Sequence, residues 1–228
     1  MITLEKMLES GVHLGHEVRR WNPKMVPYIY GRRKNIHIID ILQTFVCLDK
    51  TSRFLFKIGR QKKNVLFVCT KRQFASIVQD CASRSNSYYV NKRWLGGMLT
   101  NWSTMQICVE NLKLLNKQST EGSFENLTKK EISILNKRKE KLEKYFDGIK
   151  NMSVLPDVVI IVDQIREFKA VCECIKLKIP IITIVDTNCD PTLTVFLIPG
   201  NDDSIRSVEL LLNELTSYII KGQNNILV

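Results

Sequence analysis

No apolar run in this sequence approaches the roughly 20 residues that a membrane-spanning helix requires, which excludes a helical membrane protein. Met1 leads directly into a capped helical pattern, so neither a secretory signal nor an Arg-rich transit segment is expected. The chain also has no G-x-G-x-x-G, no G-x-x-x-x-G-K-S/T and no nucleophile elbow, so no recognisable loop holds a nucleotide or an activated serine. Histidine is scarce, at three residues, and the seven cysteines lack zinc spacing. Cys172 and Cys174 form only a C-x-C and the others are scattered, which favours reduced, buried thiols over a metal knuckle or a disulfide framework. Negative charge is also in short supply, with 23 acidic against 34 basic side chains.

What is present points elsewhere. At 228 residues and 44% apolar composition the chain can bury a full core, as one domain with an embellishment. A net charge of +11 favours a polyanionic partner, because clustered Lys and Arg release counterions from phosphates. The charge is unevenly spread. Residues 1–63 carry 13 basic and 5 acidic side chains, residues 64–150 carry 15 and 8, and residues 151–228 carry 6 and 10. The first two thirds should therefore face the polyanion, and the acidic last third should face solvent or protein.

Periodicity orders the elements. Thr3 should cap a short helix with Leu4, Met7 and Leu8 on one side, ended by Gly11. The stretch VHLGHEVRRWNPKMVPYIYGRRKN then shows neither helical nor strand period and reads as a long ordered loop, the kind that usually binds something. Ile36 to Ile39 reads as a strand, and Ile41, Phe45, Leu48, Ser52 and Leu55 take helical spacing. Asn64 to Cys69 is a buried strand, Lys71 to Arg84 a helix and Tyr88 to Val90 a short strand. Two charged helical patterns then flank a polar turn near Gly122. The second of them opens with a capping box, Thr128 to Glu131, and Ile132, Leu135, Leu142 and Phe146 keep coiled-coil spacing. Strands return at Asp157 to Val162, Ile181 to Val185 and Thr194 to Ile198. Between them lie a helix carrying Ile165, Phe168, Cys172 and Ile175 and, last, one carrying Ile205, Val208, Leu212, Leu215 and Ile219. Fully apolar strands alternating with amphipathic helices predict an α/β fold with a doubly wound parallel sheet. Residues 1–103 and 149–228 would form the body, and residues 104–148 an inserted antiparallel helical hairpin.

In such a sheet, chemistry is sought beyond the carboxyl ends of the strands, here Thr70-Lys71-Arg72, Asp163-Gln164 and the run DTNCDP from Asp186. DTNCDP admits reading as an Asp-rich metal or phosphate site, but Asp and Asn also cap turns routinely. His13 and His16 could share a metal if their segment were helical, with His37 or Glu17 as a third ligand. Gly11 and Gly15 argue against that helix and favour packed or hydrogen-bonded histidines. A stronger pattern is the interleaving of Arg19-Arg20, Arg32-Arg33-Lys34 and Lys92-Arg93 with Trp21, Tyr28, Tyr30, Trp94 and Trp102. Cations pair with phosphates, while aromatic and guanidinium planes stack on bases or pack on riboses. In NKRWLGGMLTNW, Gly96 and Gly97 allow close backbone approach, and Asn91 and Asn101 add uncharged hydrogen-bonding groups. Buried tryptophans in a core turn are the competing reading of that segment. The expected RNA contacts are Arg19, Arg20, Trp21, Asn22, Lys24, Arg32, Arg33, Lys34, Lys71, Arg72, Asn91, Lys92, Arg93, Trp94 and Asn101. The run Lys137-Arg138-Lys139 is ambiguous, since exposed helices commonly carry such charge.

Taken together, GVHLGHEVRRWNPKMVPYIYGRRKNIHII, VLFVCTKR, YVNKRWLGGMLTNW, GIKNMSVLPDVVIIVD and IPIITIVDTNCDP through IPGNDDSIRSVELLLNEL closely resemble the small-subunit ribosomal protein S-two family, of bacterial and organellar type. The resemblance covers nearly the whole chain, and NKRWLGGMLTNW is its most specific piece. It implies a flavodoxin-like sheet with a protruding coiled-coil hairpin, no catalytic activity and no cofactor. The implied partners are small-subunit ribosomal RNA, neighbouring ribosomal proteins and, in bacteria, protein S-one. DVVIIVDQ and DTNCDP are similar to plastid versions, and the chain stops soon after its last helix without the acidic tail of many bacterial members. A plastid member without a transit segment would be encoded in the organelle, so plastid stroma is expected, with bacterial cytoplasm as the alternative. The competing function is a free-standing flavodoxin-like enzyme or binder of a phosphate ligand, using Thr70-Lys71-Arg72 and DTNCDP.

Overall fold

The computed structural model describes residues 2–120 and 129–225, with the side chains of residues 119 and 120 left aside. The polar turn expected near Gly122, and Thr128 of the expected capping box, lie outside the described residues. The chain opens with α1 (Leu4–Glu9), where the Thr3 hydroxyl accepts from the Lys6 N–H and Gly11 turns the chain at φ +72°. Of the apolar side chains expected to line that helix, Met7 is buried while Leu4 and Leu8 are exposed.

The stretch expected to be a loop contains two strands. β1 (Leu14–Glu17) and β2 (Ile29–Arg33) flank β3 (Ile36–Ile39) in a three-stranded antiparallel sheet. β3 therefore belongs to this small sheet and not to the parallel one. Register irregularities between Leu14 and Glu17 and between Ile29 and Gly31 break the alternation that would have announced the strands. β2 and β3 are joined by Lys34 and Asn35 alone, both at positive φ, the geometry that lets a two-residue loop follow the twist of its strands.

Asp40 caps α2 (Ile41–Arg60) by accepting from the Leu42 and Gln43 N–H groups. There follow β4 (Val65–Val68), α3 (Ala75–Arg84), β5 (Tyr88–Val90), α4 (Trp102–Thr120), α5 (Lys129–Phe146), β6 (Val158–Val162), α6 (Phe168–Leu177), β7 (Ile181–Val185), β8 (Phe196–Pro199) and α7 (Ile205–Gln223). The five later strands are all parallel, in the order β5-β4-β6-β7-β8. Counted from β4, this is the 2-1-3-4-5 order of flavodoxin-like sheets, as the sequence predicts.

Because strand side chains alternate, each strand feeds two cores. Val65, Phe67, Val158, Ile160, Ile182 and Ile184 pack under α2, α3 and α7. Leu66, Val68, Val159, Ile161 and Ile181 pack under α6 and the adjoining ends of α4 and α5, which contribute Val109, Leu112 and Phe146. Fully buried side chains such as Leu55 and Leu212 each contribute about 1.5–3 kcal/mol of hydrophobic stabilisation. α2 and α7 cross at a pair of glycines. A carbon added to Gly59 would strike the Ile219 carbonyl, and one added to Gly222 the Phe56 carbonyl.

α6 departs from its expected phase. Ile165, Phe168, Cys172 and Ile175 are all exposed, and the helix meets the sheet through Ala170, Val171 and Cys174. Small side chains let the helix sit close on the sheet, so the bulkier stripe was the wrong guide. All seven cysteines are free thiols, but only Cys69, Cys81, Cys174 and Cys189 are buried. Among the described residues no helix is long and apolar enough to cross a membrane.

Candidate nucleic-acid interface

The crevice where a flavodoxin-like sheet holds its ligand lies beyond the ends of β4 and β6. Here the N-terminal sheet fills it. The His16 N–H donates to the Thr187 hydroxyl at 3.0 Å, the Asn22 N–H to the Thr187 carbonyl at 2.8 Å, and the Asn201 N–H to the Val12 carbonyl at 3.0 Å. A Cβ at Gly15 would collide with the Thr187 side chain, so only glycine allows this approach. Beneath lies a dense ion cluster. The Lys71 ammonium is 2.8 Å from Asp163, 2.7 Å from Asp203 and 3.5 Å from Asp202, and its side chain is only 14% exposed. Burial pulls the Lys71 pKa down, but the three carboxylates outweigh it and raise it. His16 bridges Asp186 at 2.9 Å and Asp203 at 3.2 Å, and chiefly the Asp186 hydrogen bond raises its pKa to about 9. Burial, reinforced by repulsion from Asp186, pushes Asp202 up to about 7.

The run DTNCDP is thus a clamp on the N-terminal segment. Gln164 and Asp190 exchange two hydrogen bonds, the Gln164 amide donating to the Asp190 carbonyl and the Asp190 N–H to the Gln164 amide oxygen. Lys24 pairs with the Asp190 carboxylate, whose pKa falls to about 2, chiefly through that hydrogen bond. His16, Asp186 and Asp202 are the one grouping with metal-ligand spacing among the described residues. His13 is not part of it. His37 is buried against the Trp21 ring, with centroids 5.4 Å apart.

NKRWLGGMLTNW is organised by a residue that sequence reading missed. The Glu173 carboxylate of α6 accepts from the Trp94 indole at 2.9 Å and from the N–H groups of Gly97, Leu99 and Thr100 at 2.8, 2.9 and 3.1 Å. Burial disfavours the charge, yet these donors outweigh it and hold the Glu173 pKa below its usual value. Gly97, at φ +84°, makes the turn that aims those N–H groups. Asn91 also points inward, its amide donating to the Ala75 carbonyl at 3.0 Å. Asn101 is exposed, and its side chain accepts from the Thr104 hydroxyl near the start of α4.

The other expected contacts face outward. Lys92 and Arg93 are exposed where Asn91 and Trp94 on either side of them are buried. With Arg72, Lys144 and Tyr145 they line one polar groove of about 610 Å³ between the end of β4 and the base of α5. Lys144 was not among the expected contacts, because a helical i, i+4 partner looked sufficient for it. Arg32, Arg33 and Lys34 stand exposed at the tip of the β2–β3 hairpin, and Arg19 and Arg20 on the short 3-10 turn after β1. None of these outward cations pairs with a described carboxylate. Lys71, Asn91 and Trp94, expected at the same face, are instead committed to the interior.

A family model described as Ribosomal protein S2 matches residues 7–222. Over 225 residues the chain is 56% identical to the small ribosomal subunit protein uS2c of Euglena gracilis, covering 99% of this chain and 93% of the relative. It is 52% identical over 222 residues to uS2c of Mesostigma viride, covering 97% of each. Against uS2 of Nostoc punctiforme the identity is 50% over 224 residues, covering 98% of this chain and 85% of the relative.

Proposed function

The chain belongs to the ribosomal protein S2 family, and on that premise we propose that its outward cations dock the α/β body onto small-subunit ribosomal RNA through phosphate and shape recognition. The protein is a structural component of the small ribosomal subunit and not an enzyme. It works beside ribosomal RNA and other ribosomal proteins, in a plastid or bacterial ribosome.

One observation carries the RNA-facing reading: Arg72, Lys92, Arg93 and Lys144 surround a single groove in which no described carboxylate pairs with any of them. Exposed cations with no internal partner are available to phosphate, and each phosphate contact gains affinity by counterion release. The tip residues Arg32, Arg33 and Lys34, with Arg19 and Arg20, form the second patch. Trp21 packs on His37 and leaves one edge for a ribose or a base. The chain's similarity to the uS2c proteins of Euglena gracilis and Mesostigma viride favours the plastid stroma as its location. A counterpart of protein S-one is its further expected neighbour, as the family resemblance implies for bacterial members, and co-purification from native subunits tests that contact.

Replacing Arg19, Arg20, Lys92 and Arg93 together by Gln tests the RNA face. All four are exposed, so the variant should keep the wild-type circular dichroism and melting point while its incorporation into small subunits falls at least ten-fold, on the order of one lost phosphate contact or more. Unchanged occupancy in folded protein removes this surface from the account.

A further inference from the structure

A second groove lies at the opposite end of the same edge strand. It also has a volume of about 610 Å³, and its walls include Lys62, Lys63, Lys150, Asn86 and Tyr88. A middle groove between the two shares Tyr89, Asp147 and Gly148 with this one and Asn91, Lys92, Lys144 and Tyr145 with the first. The three therefore form one channel along the outer side of β5. The narrowest point is a backbone contact: a carbon added at Gly148 would strike the Tyr89 carbonyl, and the Tyr89 hydroxyl donates to Asp147 at 2.9 Å. That turn also covers the free edge of β5, which would otherwise be open to pairing with another strand.

The channel's charge is one-sided. Seven cations line it against two carboxylates, Asp147 and Glu143, each of which already has a lysine partner, Lys150 at 2.9 Å and Lys139 at 4.0 Å. Small-molecule pockets are lined mainly by apolar groups with a few polar ones. These walls are lysines, arginines, amides and hydroxyls, the lining that suits a phosphate backbone. From Lys63 to Lys71 the strand rise of ~3.3 Å per residue gives the channel a length of about 25 Å. At roughly 3.4 Å per nucleotide of stacked strand, that accommodates on the order of seven nucleotides.

We propose that a single segment of ribosomal RNA backbone follows this channel around the sheet edge, contacting Lys62, Lys63 and Lys150 at one end and Arg72, Lys92 and Arg93 at the other. The inference rests on the RNA-facing reading of the first groove and adds a contact region that no basic-aromatic pattern in the sequence marks. Lys62, Lys63 and Lys150 are exposed, and Lys62 sits at positive φ in the turn before β4, so the two neighbouring lysines are presented by the turn itself.

The test uses two variants of the full chain with transcribed small-subunit ribosomal RNA. One carries Lys62→Gln, Lys63→Gln and Lys150→Gln, the other Arg72→Gln, Lys92→Gln and Arg93→Gln. Affinity is measured across salt concentrations, hydroxyl-radical protection is mapped on the RNA, and melting curves confirm the fold. Each variant is expected to bind roughly 10- to 100-fold more weakly near 0.15 M salt, with the slope of log affinity against log salt reduced by about 2 to 3. The protections lost by the two variants should be contiguous on one RNA segment. If only the second variant weakens binding, the channel is overturned and the RNA reading of the first groove survives. If neither does, that reading falls as well. Lost protections on separate RNA helices would overturn the single segment. Impaired subunit assembly by the first variant with unchanged RNA affinity would assign Lys62, Lys63 and Lys150 to a protein neighbour and overturn the proposal.

Discussion

Lys71 and Arg72 are adjacent in sequence, yet they belong to two regions of opposite character. At the ends of β4 and β6, the Lys71 ammonium is held among Asp163, Asp202 and Asp203 under the cover of the N-terminal sheet. Beside α5, Arg72 opens onto a groove with Lys92, Arg93 and Lys144 and meets no carboxylate. The first region spends positive charge on holding the body together. The second leaves it available to a polyanion. A basic residue is thus informative about binding only once the location of the acidic side chains is known, and here they come from β6, α7's leading turn and DTNCDP.

The sharpest way to break the contrast is Lys71→Met. Losing the cation leaves three carboxylates facing one another with little solvent, which should cost about 3–5 kcal/mol in urea unfolding. Glu173→Ala comes next. It strands the Trp94 indole and three backbone N–H groups, a loss on the order of 2–3 kcal/mol, whereas Glu173→Gln keeps an acceptor in place and should lose less. A near-native unfolding midpoint for the alanine variant would mean that Glu173 does not organise this turn.

Acidity probes the inward cluster alone. The folded-state pKa of His16, about 9, exceeds its ordinary 6.5, so the folded state binds the proton more tightly than the unfolded chain does. Its contribution is complete below about 6.5 and disappears as pH rises through 9. Asp202, raised to about 7 from 3.8, acts in the same direction over lower pH, with its contribution lost as pH rises through 7. Stability in the presence of a chelator should therefore fall on going from pH 6 to pH 9.5, with His16 accounting for on the order of 2–3 kcal/mol. His16→Gln should flatten the upper part of that profile, and an unchanged profile would contradict the assignment. The smallest effect is expected at Lys24, which is half exposed beside Asp190. Lys24→Gln should change the unfolding free energy by less than about 1 kcal/mol, and less still in high salt.

The parallel sheet was legible because β4, β6 and β7 are unbroken apolar runs and because α2 and α7 keep helical spacing over several turns. β1 and β2 were not, since their pairing is short and irregular and its partner strand lies beyond aromatic and proline-rich sequence. The α6 stripe misled because Ala170, Val171 and Cys174, which touch the sheet, are less conspicuous than Ile165, Phe168 and Ile175. For the site, Lys92, Arg93 and the hairpin tip were legible as clusters of like charge beside aromatics. The inward turn of Lys71, Asn91 and Trp94 was not. Their partners, Asp163, Asp202 and Asp203 for Lys71 and Glu173 for Trp94, are distant in sequence. Even the nearer Ala75 carbonyl that holds Asn91 depends on how α3 returns to β5. Lys144 and Lys150 were overlooked for the opposite reason: each has a plausible local partner, so neither looked available.

The central claim is that the outward cations bind RNA and the inward one holds the fold, and measuring salt-dependent RNA affinity together with unfolding for two variants tests it most directly. For Lys92→Gln with Arg93→Gln, the slope of log affinity against log salt should fall by about 2, with the urea midpoint unchanged. For Lys71→Met, assayed where it remains folded, the midpoint should drop while the slope stays that of the wild type. A reduced slope for Lys71→Met, or an unaltered slope for the Lys92 and Arg93 variant, would contradict the division of roles.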